Sequence, residues 1–141
     1  MEYREIREAA VEGSVISLRN LLEKDPLILD HILSECDPVI LPLHIASRRG
    51  HVEFVQEILI RKPGLVEQLD SRKRSALHSA TARGYFAIVK KLVTVKPETC
   101  FLRDRDGRNP LHVAAIKGHV DVPEVLVEKK PDAARLDRPI R

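Results

Sequence analysis

Apolar residues recur along the chain in two helical rhythms, with a glycine between them each time. Leu43 and Ala46, Leu77 and Ala80, and Leu111 and Ala114 stand at i, i+3 spacing, which marks one face of a short helix. Gly50, Gly84 and Gly118 follow, as expected where a helix ends and φ must turn positive. A second stripe then begins. It reads Val52, Val55, Ile58 and Leu59 in one place, Phe86, Val89, Leu92 and Val93 in another, and Val15, Leu18, Leu21 and Leu22 nearer the start. Each set fits one side of a second helix. Pro63, Pro97 and Pro131 close these helices, because proline removes a backbone hydrogen bond and clashes inside a helix. Polar stretches such as Asp104 to Asn109 come next, and Asp106-Gly107 within it is a strong tight-turn signal.

The rhythm is a repeat. Leu43-His44-Ile45-Ala46-Ser47-Arg48-Arg49-Gly50, Leu77-His78-Ser79-Ala80-Thr81-Ala82-Arg83-Gly84 and Leu111-His112-Val113-Ala114-Ala115-Ile116-Lys117-Gly118 align without gaps at a step of 34 residues. A fourth copy, Ile6-Arg7-Glu8-Ala9-Ala10-Val11-Glu12-Gly13 with Pro26 closing it, lies 37 residues upstream, so the first connection carries three extra residues. The expected fold is all-α: a solenoid of four stacked helix-turn-helix units joined by β-hairpin-like fingers. The units span about 3–29, 40–66, 74–100 and 108–134 of a single domain, 1–141, and the chain ends inside the next hairpin. Such a unit cannot bury its own apolar stripe and needs a neighbour on each side. Ala80 and Ala114 are expected to be buried between paired helices, since a small side chain lets the partner approach closely.

Composition narrows the core and leaves the function open. Only 4% of residues are aromatic and none is Trp, so the core must be aliphatic and Ala-rich. Twenty-four Lys and Arg face 21 Asp and Glu, a mild basic excess that favours no partner class by itself. Cys36 and Cys100 lack CxxC spacing and read as ordinary thiols of a reducing compartment. The start of the chain lacks a secretory signal, and no apolar run approaches the ~18 residues that span a bilayer. These features point to the cytoplasm, or to the cytosolic face of a membrane if the chain is part of a longer protein. No fifth unit or polar cap follows before Arg141, as in a fragment of a longer protein or a short form with an unusual end.

The segment from Asp104 to His119 closely resembles the consensus of the ankyrin-repeat family, with Asn109 where Thr usually stands. Units closing in Lys-Pro or Asp-Pro, with the opening Glu8-Ala9-Ala10-Val11-Glu12-Gly13, further resemble plant ankyrin proteins of defence and stress signalling. Full-length members of that group usually carry a C-terminal membrane domain with a Pro-Gly-Gly motif. The sequence departs from the consensus at several points. Lys73 stands where the hairpin has Gly. Leu41 and Ser75 replace the Thr of Thr-Pro-Leu-His, and Ala76 replaces its Pro. The first hairpin is lengthened and contains Ser34-Glu35-Cys36-Asp37-Pro38, and Pro123 falls early in the fourth unit's second helix.

Little in the sequence points to catalysis or to a bound cofactor. His44, His78 and His112 recur, but stacked equivalents lie about 8–10 Å apart, whereas zinc needs each nitrogen within about 2.1 Å of one ion. The resemblance implies instead that this His makes hydrogen bonds at the hairpin base, and that His51 and His119 are also structural. The sequence has no Gly-rich phosphate loop, no HExxH and no Gly-x-Ser-x-Gly elbow, and neither Cys sits beside an activating motif. The expectation is a non-enzyme without cofactor or metal.

The resemblance directs attention to the concave face, made of finger residues and the exposed side of the first helices. Its positions are Arg48 and Arg49, then Ser71, Arg72, Arg74, Ala82 and Arg83, then Arg105, Asp106, Arg108, Ile116 and Lys117. Most are cationic. They suit a protein partner, as an acidic or phosphorylated segment. The alternative use of the same basic face is nucleic acid or anionic lipid. The only aromatics, Tyr3, Phe54, Tyr85, Phe86 and Phe101, offer no stacking platform for single strands. No recognition helix of a known DNA-binding class is present.

Overall fold

The computed structural model describes residues 3–34 and 41–119. The first helices of the units are α1 (Arg4–Glu12), α4 (Pro42–Arg49), α6 (Ala76–Arg83) and α8 (Pro110–Lys117). The second helices are α2 (Val15–Lys24), α5 (Val52–Arg61) and α7 (Phe86–Val95), and α3 (Ile28–Ser34) follows α2. Two rows result. The inner row packs α1 on α4, α4 on α6 and α6 on α8, while the outer row packs α2 on α5 and α5 on α7. The lengthened first hairpin at 35–40, Pro123 and the fourth unit's second helix lie outside the described residues.

The sequence explains how each helix starts and stops. Ser75 accepts a hydrogen bond from the His78 backbone N–H at 3.2 Å, and Asn109 does the same for His112 at 3.0 Å. Ser75 and Asn109 thus do the capping work of the consensus Thr. At Leu41 no side-chain cap is present, and Pro42 opens the helix instead. Each inner helix ends on a left-handed glycine, with φ of 81° at Gly50, 74° at Gly84 and 75° at Gly118.

The alanines expected between the helices are there. Ala46, Ala80 and Ala114 are fully buried at the meeting of inner helices with their neighbours. The outer stripe needs correction. Phe86 was expected on the core face and is 43% exposed, whereas Phe54 and Ile88, which the i, i+3 reading passed over, are fully buried. The buried face of an outer helix falls at 54, 55, 58 and 59 and again at 88, 89, 92 and 93. Position 86 begins its helix and lies beside the groove between the two outer helices. The closing prolines also do more than stop a helix. Pro63 and Pro97 open short 3-10 turns, Pro63–Glu67 and Pro97–Phe101, which bury Leu65, Val66, Thr99 and Cys100 under the outer row. No strand is formed among the described residues, so the fingers are turns rather than regular hairpins.

Candidate functional site

Two fingers are described, and they are built alike. In the first, Asp70 accepts at its Oδ1 from the backbone N–H of Arg72 at 2.9 Å and of Arg74 at 2.8 Å. Its own N–H donates to the Arg74 carbonyl at 2.9 Å. In the second, Asp104 Oδ1 accepts from Asp106 at 2.9 Å and Arg108 at 3.0 Å, and its N–H donates to the Arg108 carbonyl at 2.9 Å. A short polar side chain that bonds the backbone two and four residues on is a standard way to close a turn. Both tips need positive φ, supplied by Gly107 at 77° and by Lys73 at 60°, the one non-glycine residue in that region among those described.

The recurrent histidines tie each finger to the preceding inner helix. His44 Nε2–H donates to the Arg74 carbonyl at 2.8 Å, and His78 Nε2–H donates to the Arg108 carbonyl at 2.9 Å. A carbonyl only accepts, so the proton sits on Nε2 in both rings. Burial pushes both imidazoles below their usual pKa, against the opposing pull of these same hydrogen bonds and of Asp70 and Asp104. His51 and His119 stitch in the other direction. They donate to the carbonyls of Val11, at 2.8 Å, and Ala82, at 3.0 Å, at the end of the previous inner helix. Tyr85 holds the equivalent place in the third unit, its ring against Gly50. The structural part inferred for these histidines from the family resemblance is the one they play here. No group of three or more His, Cys, Asp or Glu residues could hold a metal among the described residues. Cys100 is a buried residue.

Between the finger bases and the inner helices runs a groove of about 300 Å3. Of the residues expected on this face, Arg48, Arg74, Ala82, Arg83, Arg108, Ile116 and Lys117 line it together. Arg49, Ser71, Arg72, Arg105 and Asp106 are exposed around it and do not line it. Arg105 is engaged within the fold, since its guanidinium donates to the Ser71 carbonyl at 2.7 Å and its N–H to the Arg72 carbonyl at 2.9 Å. That links neighbouring fingers directly. Asp70 and Asp104 also line the groove and were missed as site residues. Their recurrence 34 residues apart in the polar stretches was the available signal. Five cations thus face two carboxylates, each of which accepts backbone hydrogen bonds at its Oδ1. None of the five takes part in a salt bridge among the described residues.

The opposite side offers a second hollow, about 680 Å3, between α5 and α7. Ile60, Phe86 and Val95 expose their apolar side chains there, with Lys90 and Lys91 on its wall. Ion pairs bind the units on that side. Glu57 is held by Arg19 at 3.2 Å and Arg61 at 3.1 Å, and those guanidiniums, Arg19 first, keep its carboxyl below the usual range. Lys62 pairs with Asp30, and Lys96 with Glu67 of the preceding turn at 3.1 Å. No helix among the described residues is long and apolar enough to cross a membrane.

Comparison with known proteins agrees with this geometry. A family model described as ankyrin repeats, in three copies, matches residues 8–101 and 43–137. No curated protein matches the chain. With that match over most of its length, and with stacked helix pairs, finger turns and histidine bonds recurring in register, the chain belongs to the ankyrin-repeat family.

Proposed function

We propose that this chain is a non-catalytic interaction module that binds an acidic or phosphorylated segment of a protein partner in the concave groove. Ankyrin repeats are generally protein–protein interaction modules, and the fold is typically non-catalytic. The observation that carries the finer reading is the charge of the groove. Arg48, Arg74, Arg83, Arg108 and Lys117 line it against two carboxylates, Asp70 and Asp104, each with one oxygen engaged by the finger backbone, so the groove keeps a cationic excess. Arginine matches a carboxylate or phosphate with two parallel hydrogen bonds. The resemblance to plant ankyrin proteins suggests an intracellular setting in defence or stress signalling, in the cytoplasm or at the cytosolic face of a membrane.

Nucleic acid is a weaker fit. No Phe, Tyr or Trp lines the groove, so bases find no aromatic platform. Binding measured against salt separates the readings. An acidic peptide of ten to fifteen residues is expected to bind with a shallow salt dependence and to lose affinity when Arg74 and Arg108 become Glu. Tighter binding to duplex DNA than to acidic peptides, with a steep salt slope, would overturn the protein-segment reading.

A further inference from the structure

We infer that the hollow between α5 and α7 is a second docking surface, separate from the concave groove, and that it takes a protein segment rich in apolar and acidic residues. The neighbouring outer interface shows what has changed. There Glu57 of α5 is clasped by Arg19 of α2 at 3.2 Å and by Arg61 at 3.1 Å. One unit on, 37 residues from α2 to α5 and 34 from α5 to α7, the positions of Arg19, Glu57 and Arg61 hold Gln56, Lys91 and Val95. No anion is left among the three, and all three line the hollow. The hollow thus opens where the clasp is missing.

Two further positions change in the same sense. Glu23 of α2 gives way to Ile60, and Glu53 of α5 to Ala87. Three carboxylates are therefore replaced, one unit on, by an isoleucine, an alanine and a lysine. Ile60 is 66% exposed and Val95 38%, with Phe86 and Ala87 exposed beside them. Packing of the outer row does not require this apolar surface, since α2 packs on α5 with charged residues at the same positions. A group of exposed apolar side chains in one hollow marks a contact surface. Lys90 and Lys91 stand on its wall, and neither takes part in a salt bridge among the described residues.

The chemistry of the occupant follows from this pairing. Apolar side chains leave water against Ile60, Phe86 and Val95, and a carboxylate meets the two ammonium groups. An anionic membrane fits less well. It rewards a broad cationic face, whereas Glu57 and Glu67 stand on the same outer side. A second copy presenting the same hollow would set Lys90 and Lys91 against their equals, and like charges in contact are unfavourable.

The clasp supplies the test. Gln56→Arg, Lys91→Glu and Val95→Arg together rebuild it between α5 and α7, and the melting temperature should stay close to that of wild type, because exposed ion pairs contribute little. Displayed random dodecapeptides are selected on the full chain and depleted on this clasped variant. The survivors are expected to combine apolar residues with Asp or Glu. In fluorescence anisotropy they should bind wild type at least about tenfold tighter than the clasped variant. Arg74→Glu with Arg108→Glu, which alters the groove alone, should leave their binding unchanged. Ile60→Glu, at an exposed position, serves if the clasped variant fails to fold. Depletion that leaves no peptide, or survivors without acidic residues, would overturn the inference. Survivors lost on the groove reversal would also overturn it, while leaving the acidic-segment reading of the groove in place. So would wild type that binds phosphatidylserine vesicles but no peptide, or a dimer in light scattering that the clasped variant does not form.

Discussion

His44 and His78 favour the neutral form because burial disfavours a charged ring, although the Nε2–H bond to the finger carbonyl would persist in either form. Each ring is buried, and burial lowers its pKa from the ordinary value near 6.5. The sign follows directly. As pH falls through about 6.5 the unfolded chain takes up these protons first, so stability is full above that pH and declines below it. The decline is at most about 1.4 kcal/mol per pH unit for each histidine, until the folded rings protonate too. The urea midpoint is therefore expected to drop between pH 7 and 5, and His44→Gln with His78→Gln should flatten the drop. An equally steep decline in that variant would place the acid sensitivity elsewhere. Two finger and cap positions give a further contrast. Lys73 carries a φ of 60° at the place where the next finger has Gly107. Lys73→Gly is expected to stabilise by about 0.5–1 kcal/mol, the left-handed penalty less the entropy of glycine. Gly84→Ala should cost at least about 1–2 kcal/mol, because a Cβ there would lie 2.6 Å from His119 Nδ1 as well as strain a φ of 74°. Thermal unfolding of both variants checks the pair. The Lys73 departure was legible against the family consensus, and the roles of the histidines were what the resemblance to that family implies. Asp70 and Asp104 recur as plainly, but a carboxylate that closes a turn looks like any solvated acid until its partners are known.

The inner helices were readable because two constraints agreed at each end: a periodic Leu and Ala inside, and a glycine after. Ala80 illustrates the consequence. It is fully buried in α6, which packs on α4, α7 and α8 at once. Ala80→Leu has no space to fill and is expected to lower stability by about 1–3 kcal/mol in chemical denaturation. An unchanged midpoint would contradict the helix pairing. In the outer helix α7 only the first position of the stripe was misread. Val89, Leu92 and Val93 sit on the core as expected, but Phe86 does not and Ile88 does. A run as apolar as Phe86-Ala87-Ile88-Val89 fits several faces of a helix, so periodicity alone could not choose among them. The 3-10 turns after Pro63 and Pro97 were missed for another reason. Proline signals an end, and its fixed φ equally suits the first residue of a new helical turn. Only burial of Leu65 and Cys100 reveals which use is made.

Across the molecule, each unit is joined to its neighbours on three sides. Histidines run forward to the fingers and back to the inner helices, Arg105 links finger to finger, and ion pairs such as Lys96–Glu67 link the outer side. Stability in such an array is close to a sum of unit and neighbour terms. Amide exchange is expected to be slowest in the second and third units, α4 to α7, of which α4, α5 and α6 have described neighbours on both sides. Exchange is expected to be fastest over 119–141, of which 120–141 lie outside the described residues. The same regular step that distributes stability also repeats the cations. Arg74 and Arg108 therefore belong to the groove by position and to the fold through their backbones, so their side chains can be reversed with small effect on folding, about 0.5 kcal/mol each. The most direct test is binding of the native partner, captured by wild type, to the Arg74→Glu, Arg108→Glu variant after its circular dichroism and melting have been matched to wild type. The concave groove requires that the variant lose most of the affinity, chiefly through a slower on-rate at low salt. Undiminished binding by a correctly folded variant would show that the partner is held by another face.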